Sequence, residues 1–242
     1  MIYSQSDIQK LGRILGVWAH PDDESWASAG LMRMACLNGQ AVAIVTATKG
    51  DAGQTADQQK WPQEKLAEIR EHELQECLCH IGDVQQFWLD YEDGKMADAD
   101  QEQAIDEVQA IIEQYQPDTI LTFEHHGITG HDDHKTVHLW AHQASEKSGK
   151  NIRVLCAVES HEKFAEAGDK LHDEFNIFFN TDQPRLVHES DAEVCIKLPH
   201  DVLTCKLHCL KAHESQTAQM FASAEGKKAL EIMAATECFV VD

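Results

Sequence analysis

His20, Asp22, Asp23 and Glu24 fall within five positions of one another, and His131, Asp132, Asp133 and His134 are consecutive. Carboxylates packed this closely repel one another unless a cation or a proton relieves them. Imidazole beside carboxylate is a donor set for zinc or a similar divalent ion, and iron(II) suits the same ligands. A catalytic zinc usually has three protein ligands and an open position for water, whose pKa it lowers. The candidate ligands are His20, Asp22, Asp23, Glu24, His125, His126, His131, Asp132, Asp133, His134 and His138, and residue types alone do not choose among them. Neighbours on an extended segment point in opposite directions. Asp22 and Asp23 are therefore expected to divide the work, one on a metal and the other facing water as a base.

The elements that must position these residues follow from the apolar pattern. Ile14–Ala19 reads as a buried strand running straight into the first cluster, and Glu24–Asn38 as a helix with Ala27, Leu31, Met34, Ala35 and Leu37 inward. Ala41–Thr48 is continuously apolar and β-branched, as in a strand covered on both faces. Further expected elements are a helix over Trp61–His80, a strand over Val84–Leu89 and a helix over Gln101–Tyr115. A strand over Thr119–Phe123, a helix over about Asp133–Glu146 and a strand over Asn151–Glu159 follow. This alternation predicts an α/β fold: a Rossmann-like, doubly wound, mostly parallel sheet with helices on both faces. In such sheets ligands bind outside the carboxyl ends of the strands. The segments 20–24, 49–53, 90–94 and 124–134 all lie at such ends.

After residue 160 the pattern changes. Phe175–Phe179 and Glu193–Leu198 read as short strands and Asp201–His213 as a helix, a small C-terminal strand and helix extension. With no repeat and no linker, one domain over 1–242 is expected, with 160–200 as a cap on the substrate side.

Forty-two acidic against 20 basic residues give a net charge of −22. That argues against nucleic acid or an anionic membrane as partner, since both need a basic footprint. Met1–Asp7 lacks the basic-then-apolar pattern of a secretory signal, and no apolar run is long enough to span a bilayer. The eight cysteines (36, 77, 79, 156, 195, 205, 209 and 238) show no paired CxxC spacing, so they are expected as mostly buried thiols in a reducing cytoplasm. A homo-oligomer is compatible with the sequence.

Ala19-His20-Pro21-Asp22-Asp23-Glu24 resembles the AHPDDE signature of the LmbE/PIG-L family of metal-dependent N-acetylglucosamine deacetylases. Gly130-His131-Asp132-Asp133-His134 resembles that family's HPDH motif, with Asp132 where Pro is usual. Thr46–Gly53, the Arg70 helix segment Ala67–Glu71, Tyr91–Gly94 and Lys211–Gln216 resemble further family segments in the right order. Thr129 stands where some sugar-thiol members carry a Tyr. The resemblance spans nearly the whole chain. It implies His20, Asp23 and His134 as zinc ligands and Asp22 as general base. It also implies His131 as electrophile or general acid, oriented by Asp133, with Arg70 and Asp93 holding sugar hydroxyls. A small N-acetylated amino sugar is then the expected substrate. Alternatives are another N-acyl or thiol-conjugate amidase, or a non-catalytic sugar- or metal-binding module.

Some of these residues also have plainer readings. Acids at a helix start contribute about 0.3–1 kcal/mol each, which accounts for one or two carboxylates but not for His20 or the second histidine cluster. Glu24 is expected either as a first-turn acid or as the support of a ligand from behind. His213 is read as structural or supporting, His125 and His126 as site lining, and His138 and His142 as a helix face.

Overall fold

In the computed structural model, which describes residues 4–55, 57–178, 180–181 and 184–241, five parallel strands form the heart of one sheet. They are β1 (Ile14–Trp18), β2 (Val42–Thr48), β3 (Val84–Tyr91), β4 (Thr119–Phe123) and β5 (Arg153–Ser160). A two-residue strand β6 (Leu186–Val187) pairs in parallel with the carboxyl end of β5, and β7 (Val194–Lys197) and β8 (Thr236–Val240) complete the sheet. The order is β3-β2-β1-β4-β5-β8-β7. β8 runs antiparallel to β5 and β7 antiparallel to β8.

Every residue of β1, β2 and β4 is buried, as the continuous apolar runs require of strands covered on both sides. The helices Ala29–Leu37, Leu66–Ile81 and His200–Ala212 pack together, and Gln101–Tyr115 packs with Asp132–Lys147. The chain winds outward from β1 to β3, then returns to place β4 on the other side of β1. Between β1 and β4 the winding reverses, and the crevice at such a reversal is where α/β sheets bind ligands. The two acidic and histidine-rich clusters follow β1 and β4, so the topology alone brings them together.

Several boundaries depart from the sequence reading. The segment 24–38 is two helices, Asp23–Ala27 and Ala29–Leu37, broken at Ser28 (φ −148°, ψ 4°). The break exposes a fresh helix N-terminus, and Glu237 of β8 fills it by accepting from Gly30 N and Leu31 N, each at 2.8 Å. Leu37, expected inward, is 51% exposed at the helix end. The expected strand 175–179 is absent as far as Phe178. Asp169–Phe175 is helical and Asn176 stops it in the left-handed region, while Phe179 lies outside the described residues. Leu171 and Phe175 pack instead against Leu230, Met233 and their neighbours in the helices Glu214–Ala222 and Ala224–Ala234. Those two helices and β8 were not anticipated. Among the described residues no helix is long and apolar enough to cross a membrane.

Glu237 also accepts from Lys206 Nζ at 2.7 Å, and both side chains are almost wholly buried. One carboxylate thereby ties β8 to two helices. Replacing Glu237 by Ala strands the Lys206 charge and uncaps the Ala29–Leu37 helix. The expected loss is about 3–5 kcal/mol, to be read from the urea unfolding midpoint.

Candidate active site

Asp23 sits in the first turn after β1, and its Oδ2 accepts from Ala19 N (3.0 Å) and His20 N (2.7 Å). Its Oδ1 faces His134 Nε2 at 3.3 Å. His134, in the first turn of the Asp132–Lys147 helix, places Nδ1 2.9 Å from Gly127 O, so Nδ1 carries the proton and Nε2 the lone pair. His20 Nε2 lies between Asp93 Oδ1 (3.0 Å) and Asp133 Oδ2 (3.2 Å), which assigns its proton in the same way and leaves Nδ1 as the acceptor. His20 Nδ1 and His134 Nε2 are 3.3 Å apart.

Two imidazole lone pairs and a carboxylate oxygen therefore face one another in a buried site. Such an arrangement is repulsive unless something positive lies between its members. Burial works against charge on His20, but hydrogen bonds to Asp133 and Asp93 outweigh it and raise its pKa to about 10. The donors fit a borderline divalent cation such as zinc, and each histidine is held from behind by a carbonyl or carboxylate, as metal-binding histidines are. His20, Asp23 and His134 are thus brought together in the set that the sequence motifs imply.

The remaining expected residues surround this point. Asp22 has φ 113°, a left-handed conformation costly for a side-chain-bearing residue. Its N–H donates to Glu24 Oε2 (3.1 Å), its carbonyl accepts from Ser25 N and Trp26 N, and its Oδ1 lies 3.1 Å from Arg70 Nη2. Burial raises the Asp22 pKa to about 6 against the pull of Arg70. Arg70 is itself buried and also donates to Gly50 O (2.9 Å) and Pro21 O. Gly50 permits this approach, since a Cβ there would lie 2.4 Å from Arg70 Nη1.

Asp93 accepts from Ala52 N at 2.7 Å besides meeting His20. Asp133 takes Gly94 N (2.7 Å) and Met96 N (3.1 Å) on its carboxylate, and its own N–H donates to His131 Nδ1 at 3.1 Å. His131 caps the helix through that bond and meets the His20 ring edge-on, with centroids 4.8 Å apart. Burial, then the neighbouring His20 and His134, push the His131 pKa down to about 4.

Other candidates lie apart. Asp132 is exposed and pairs with Lys135. The His125 and His126 side chains are half or more exposed and gather around buried Glu124, away from the His20–Asp23–His134 group. Thr129 Oγ1 sits 3.3 Å from His134 Nδ1. Glu24 lies in the first helical turn and His213 is a supporting residue, as expected, but their pairing went unread in the sequence: Glu24 Oε1 meets His213 Nε2 (2.9 Å), Ser25 Oγ (2.7 Å) and Cys77 Sγ (3.3 Å), all buried. Only the family-like order of the segments around Glu24 and His213 could have hinted at the pairing.

A model of the PIG-L family, described as GlcNAc-PI de-N-acetylase, matches residues 15–145, more than half of the chain and both clusters. The chain belongs to the PIG-L family. A curated relative, the 1D-myo-inositol 2-acetamido-2-deoxy-alpha-D-glucopyranoside deacetylase of Mycobacteroides abscessus, is 29% identical over 164 residues. That match covers 59% of this chain and 58% of the relative. Among solved structures, N,N'-diacetylchitobiose deacetylase from Pyrococcus horikoshii superposes with a TM-score of 0.58 at 19% identity, covering 86% of this chain and 72% of that one. The 4-carboxy-2-hydroxymuconate hydratase of Pseudomonas putida superposes with a TM-score of 0.61 at 16% identity, covering 92% and 82%. These likenesses establish the fold that this PIG-L member shares with both neighbours. The family is metal-dependent, and His20, Asp23 and His134 form one of the groups whose donor atoms could hold a metal ion.

The Glu24–His213 pair makes stability depend on pH. Burial opposes both charges, yet each partner outweighs it, so His213 is raised well above 6.5 and Glu24 lowered from 4.5. A raised histidine stabilises fully below 6.5 and loses that contribution as pH climbs through its folded value. A lowered glutamate stabilises above 4.5 and loses it as pH falls through its folded value. The pair therefore contributes most between these limits. His213→Gln is expected to lower the urea midpoint more at about pH 5.5 than at about pH 8.5; an equal loss at both would mean that the pair is not ionised.

Proposed function

We propose that this chain is a zinc-dependent hydrolase that removes the acetyl group from the nitrogen of an N-acetylated amino sugar or glycoconjugate. The observation that carries this reading is the convergence of His20 Nδ1, Asp23 Oδ1 and His134 Nε2, flanked by a carboxylate with raised pKa and an imidazole with lowered pKa.

His20, Asp23 and His134 would hold the divalent cation, which when bound would supply a water of lowered pKa and polarisation of the acetyl carbonyl. Asp22 is the general base: burial brings its pKa near the working range, and Arg70 fixes its carboxylate. His131 is the complementary donor. Its Nδ1 is occupied by the Asp133 N–H, so the neutral ring carries its proton on Nε2 and can donate to the carbonyl oxygen as charge develops there. A nearby cation would push the His131 pKa further down, so the ring stays neutral and a donor. Asp133 keeps this helix start in place by gripping Gly94 N and Met96 N.

Arg70 and Asp93 are also read as the sugar-holding groups, and their bonds to Asp22 and His20 couple substrate contact to the two halves of the site. The segment 160–200 is read as the cap on the substrate side. A Cβ on Gly130 would lie 2.6 Å from Asn180 O, and Arg185 Nη1 comes within 3.7 Å of Glu124, so this segment runs over the loop after β4. The relative from M. abscessus and the neighbour from P. horikoshii are named for N-acetylated amino-sugar substrates, which supports the substrate class. All eight cysteines are free thiols, in keeping with a reducing, cytoplasmic setting.

Asp22→Asn is expected to lower turnover by about 10²–10⁴-fold with metal content unchanged, whereas His134→Ala loses the metal. Acetate release from N-acetylglucosamine conjugates and elemental analysis measure the two effects. Full activity in Asp22→Asn would remove Asp22 as base. A metal-loaded chain that releases no acetate from any N-acyl amine would favour the binding-module alternative.

A further inference from the structure

The helix that follows β4 continues to present imidazoles beyond the active site. His134, His138 and His142 recur at four-residue spacing and so share one face. Spacing alone makes His138 and His142 a helix surface; the fold shows what they face. Cys156 of β5 lies opposite, its Sγ 3.3 Å from His142 Nε2. The His138 and His142 rings are 4.4 Å apart between centroids. One ring nitrogen of each and Cys156 Sγ all lie within 4.8 Å of one another.

The His138 ring is already oriented. Its Nδ1 lies 2.8 Å from Phe123 O, which puts the proton on Nδ1 and leaves Nε2 with its lone pair. His134 is held by Gly127 O in the same manner one turn earlier, and histidines that bind metal are generally fixed this way. Cys156 is buried while both histidines are half-exposed. A cation arriving from solvent would meet nitrogen from the helix and sulfur from the sheet. Two imidazoles and a thiolate are a borderline-to-soft set, suited to zinc and unsuited to magnesium or calcium.

We infer that His138, His142 and Cys156 form a second divalent-cation site of zinc-type preference, one turn along the helix from the first. On binding, the Cys156 thiol gives its proton to solvent and a sulfur–metal bond forms, with no change of oxidation state. This site does not depend on the deacetylase reading. The competing account of Cys156 is packing alone, since it also lies among Val158, Cys195, Cys238 and Val240.

Cobalt(II) distinguishes the two, because thiolate ligation gives a near-ultraviolet sulfur-to-cobalt charge-transfer band that the all-nitrogen-and-oxygen first site cannot give. Chelator-treated full-length protein is titrated with cobalt(II). The band is expected in the wild type, expected to persist in His134→Ala, and expected to vanish in Cys156→Ser. Zinc bound in equilibrium dialysis should fall from about two to about one per chain in Cys156→Ser. His142→Gln, a change at a half-exposed position, should give the same losses and covers the case in which Cys156→Ser fails to fold. No band in the wild type overturns the inference. So does a band that survives both variants, which would point to another thiol such as Cys77 beside Glu24 and His213.

Discussion

The arrangement of the whole site depends on balancing negative charge in a place that water scarcely reaches. Asp23, Glu24, Asp93 and Asp133 are buried, and Asp22 is nearly so. An uncompensated charge in such a setting costs several kcal/mol. Each carboxylate has its own answer: Arg70 for Asp22, His213 for Glu24, and the Nε2 of His20 shared by Asp93 and Asp133. Asp23 is the remainder. The nitrogens that face it, His134 Nε2 at 3.3 Å from Oδ1 and His20 Nδ1 at 3.7 Å from Oδ2, belong to rings hydrogen-bonded elsewhere, to Gly127 O on His134 and to Asp93 and Asp133 on His20. The surrounding hydrogen bonds thus turn lone pairs towards Asp23, an arrangement whose donors fit a divalent cation.

That balance requires groups from distant parts of the chain, and the sheet order supplies them. β1 and β4 are neighbours although some hundred residues separate them in sequence, so a carboxylate cluster at the end of one meets a histidine cluster at the end of the other. The C-terminal segment closes the arrangement from behind. His213 reaches Glu24, Ser215 N and Oγ donate to Glu73 of the Arg70 helix, and Glu237 ties β8 to the helix after Ser28. The part of the chain beyond the family-matched residues 15–145 therefore supports the residues within them.

The legibility of this molecule in its sequence follows the range of the forces involved. β1, β2, β4 and the helices Gln101–Tyr115 and Asp132–Lys147 were legible, because continuous apolar runs and 3.6-residue spacing are local signals. The two clusters were legible as motifs, and the parallel sheet placed them together. Glu24–His213, Glu237–Lys206 and Cys156 beneath His142 were not, since each is a pairing across long sequence separations. The aromatic run at 175–178 imitated a strand, but Leu171 and Phe175 are drawn onto the terminal helices, and tertiary packing overrode local preference. Ser28 hides a helix break for the same reason: the residue that stabilises the break, Glu237, lies on β8.

The fold by itself does not choose the reaction, as its occurrence in both a deacetylase and a hydratase makes plain. On the proposed function, the choice lies in how two adjacent aspartates are given opposite tasks. Strand alternation was the expected means, but Asp22 and Asp23 are no longer on a strand. Asp22 instead takes a left-handed conformation (φ 113°) that costs of order 1–3 kcal/mol. It is held there on every side: its N–H by Glu24, its carbonyl by Ser25 and Trp26, its carboxylate by Arg70. The turn directs Asp22 towards Arg70 while Asp23, one residue on, folds back onto Ala19 N and His20 N and faces His134. A relaxed backbone at residue 22 would lose that separation, so on the proposed function the strain and the network that sustains it matter as much as the proposed ligands do.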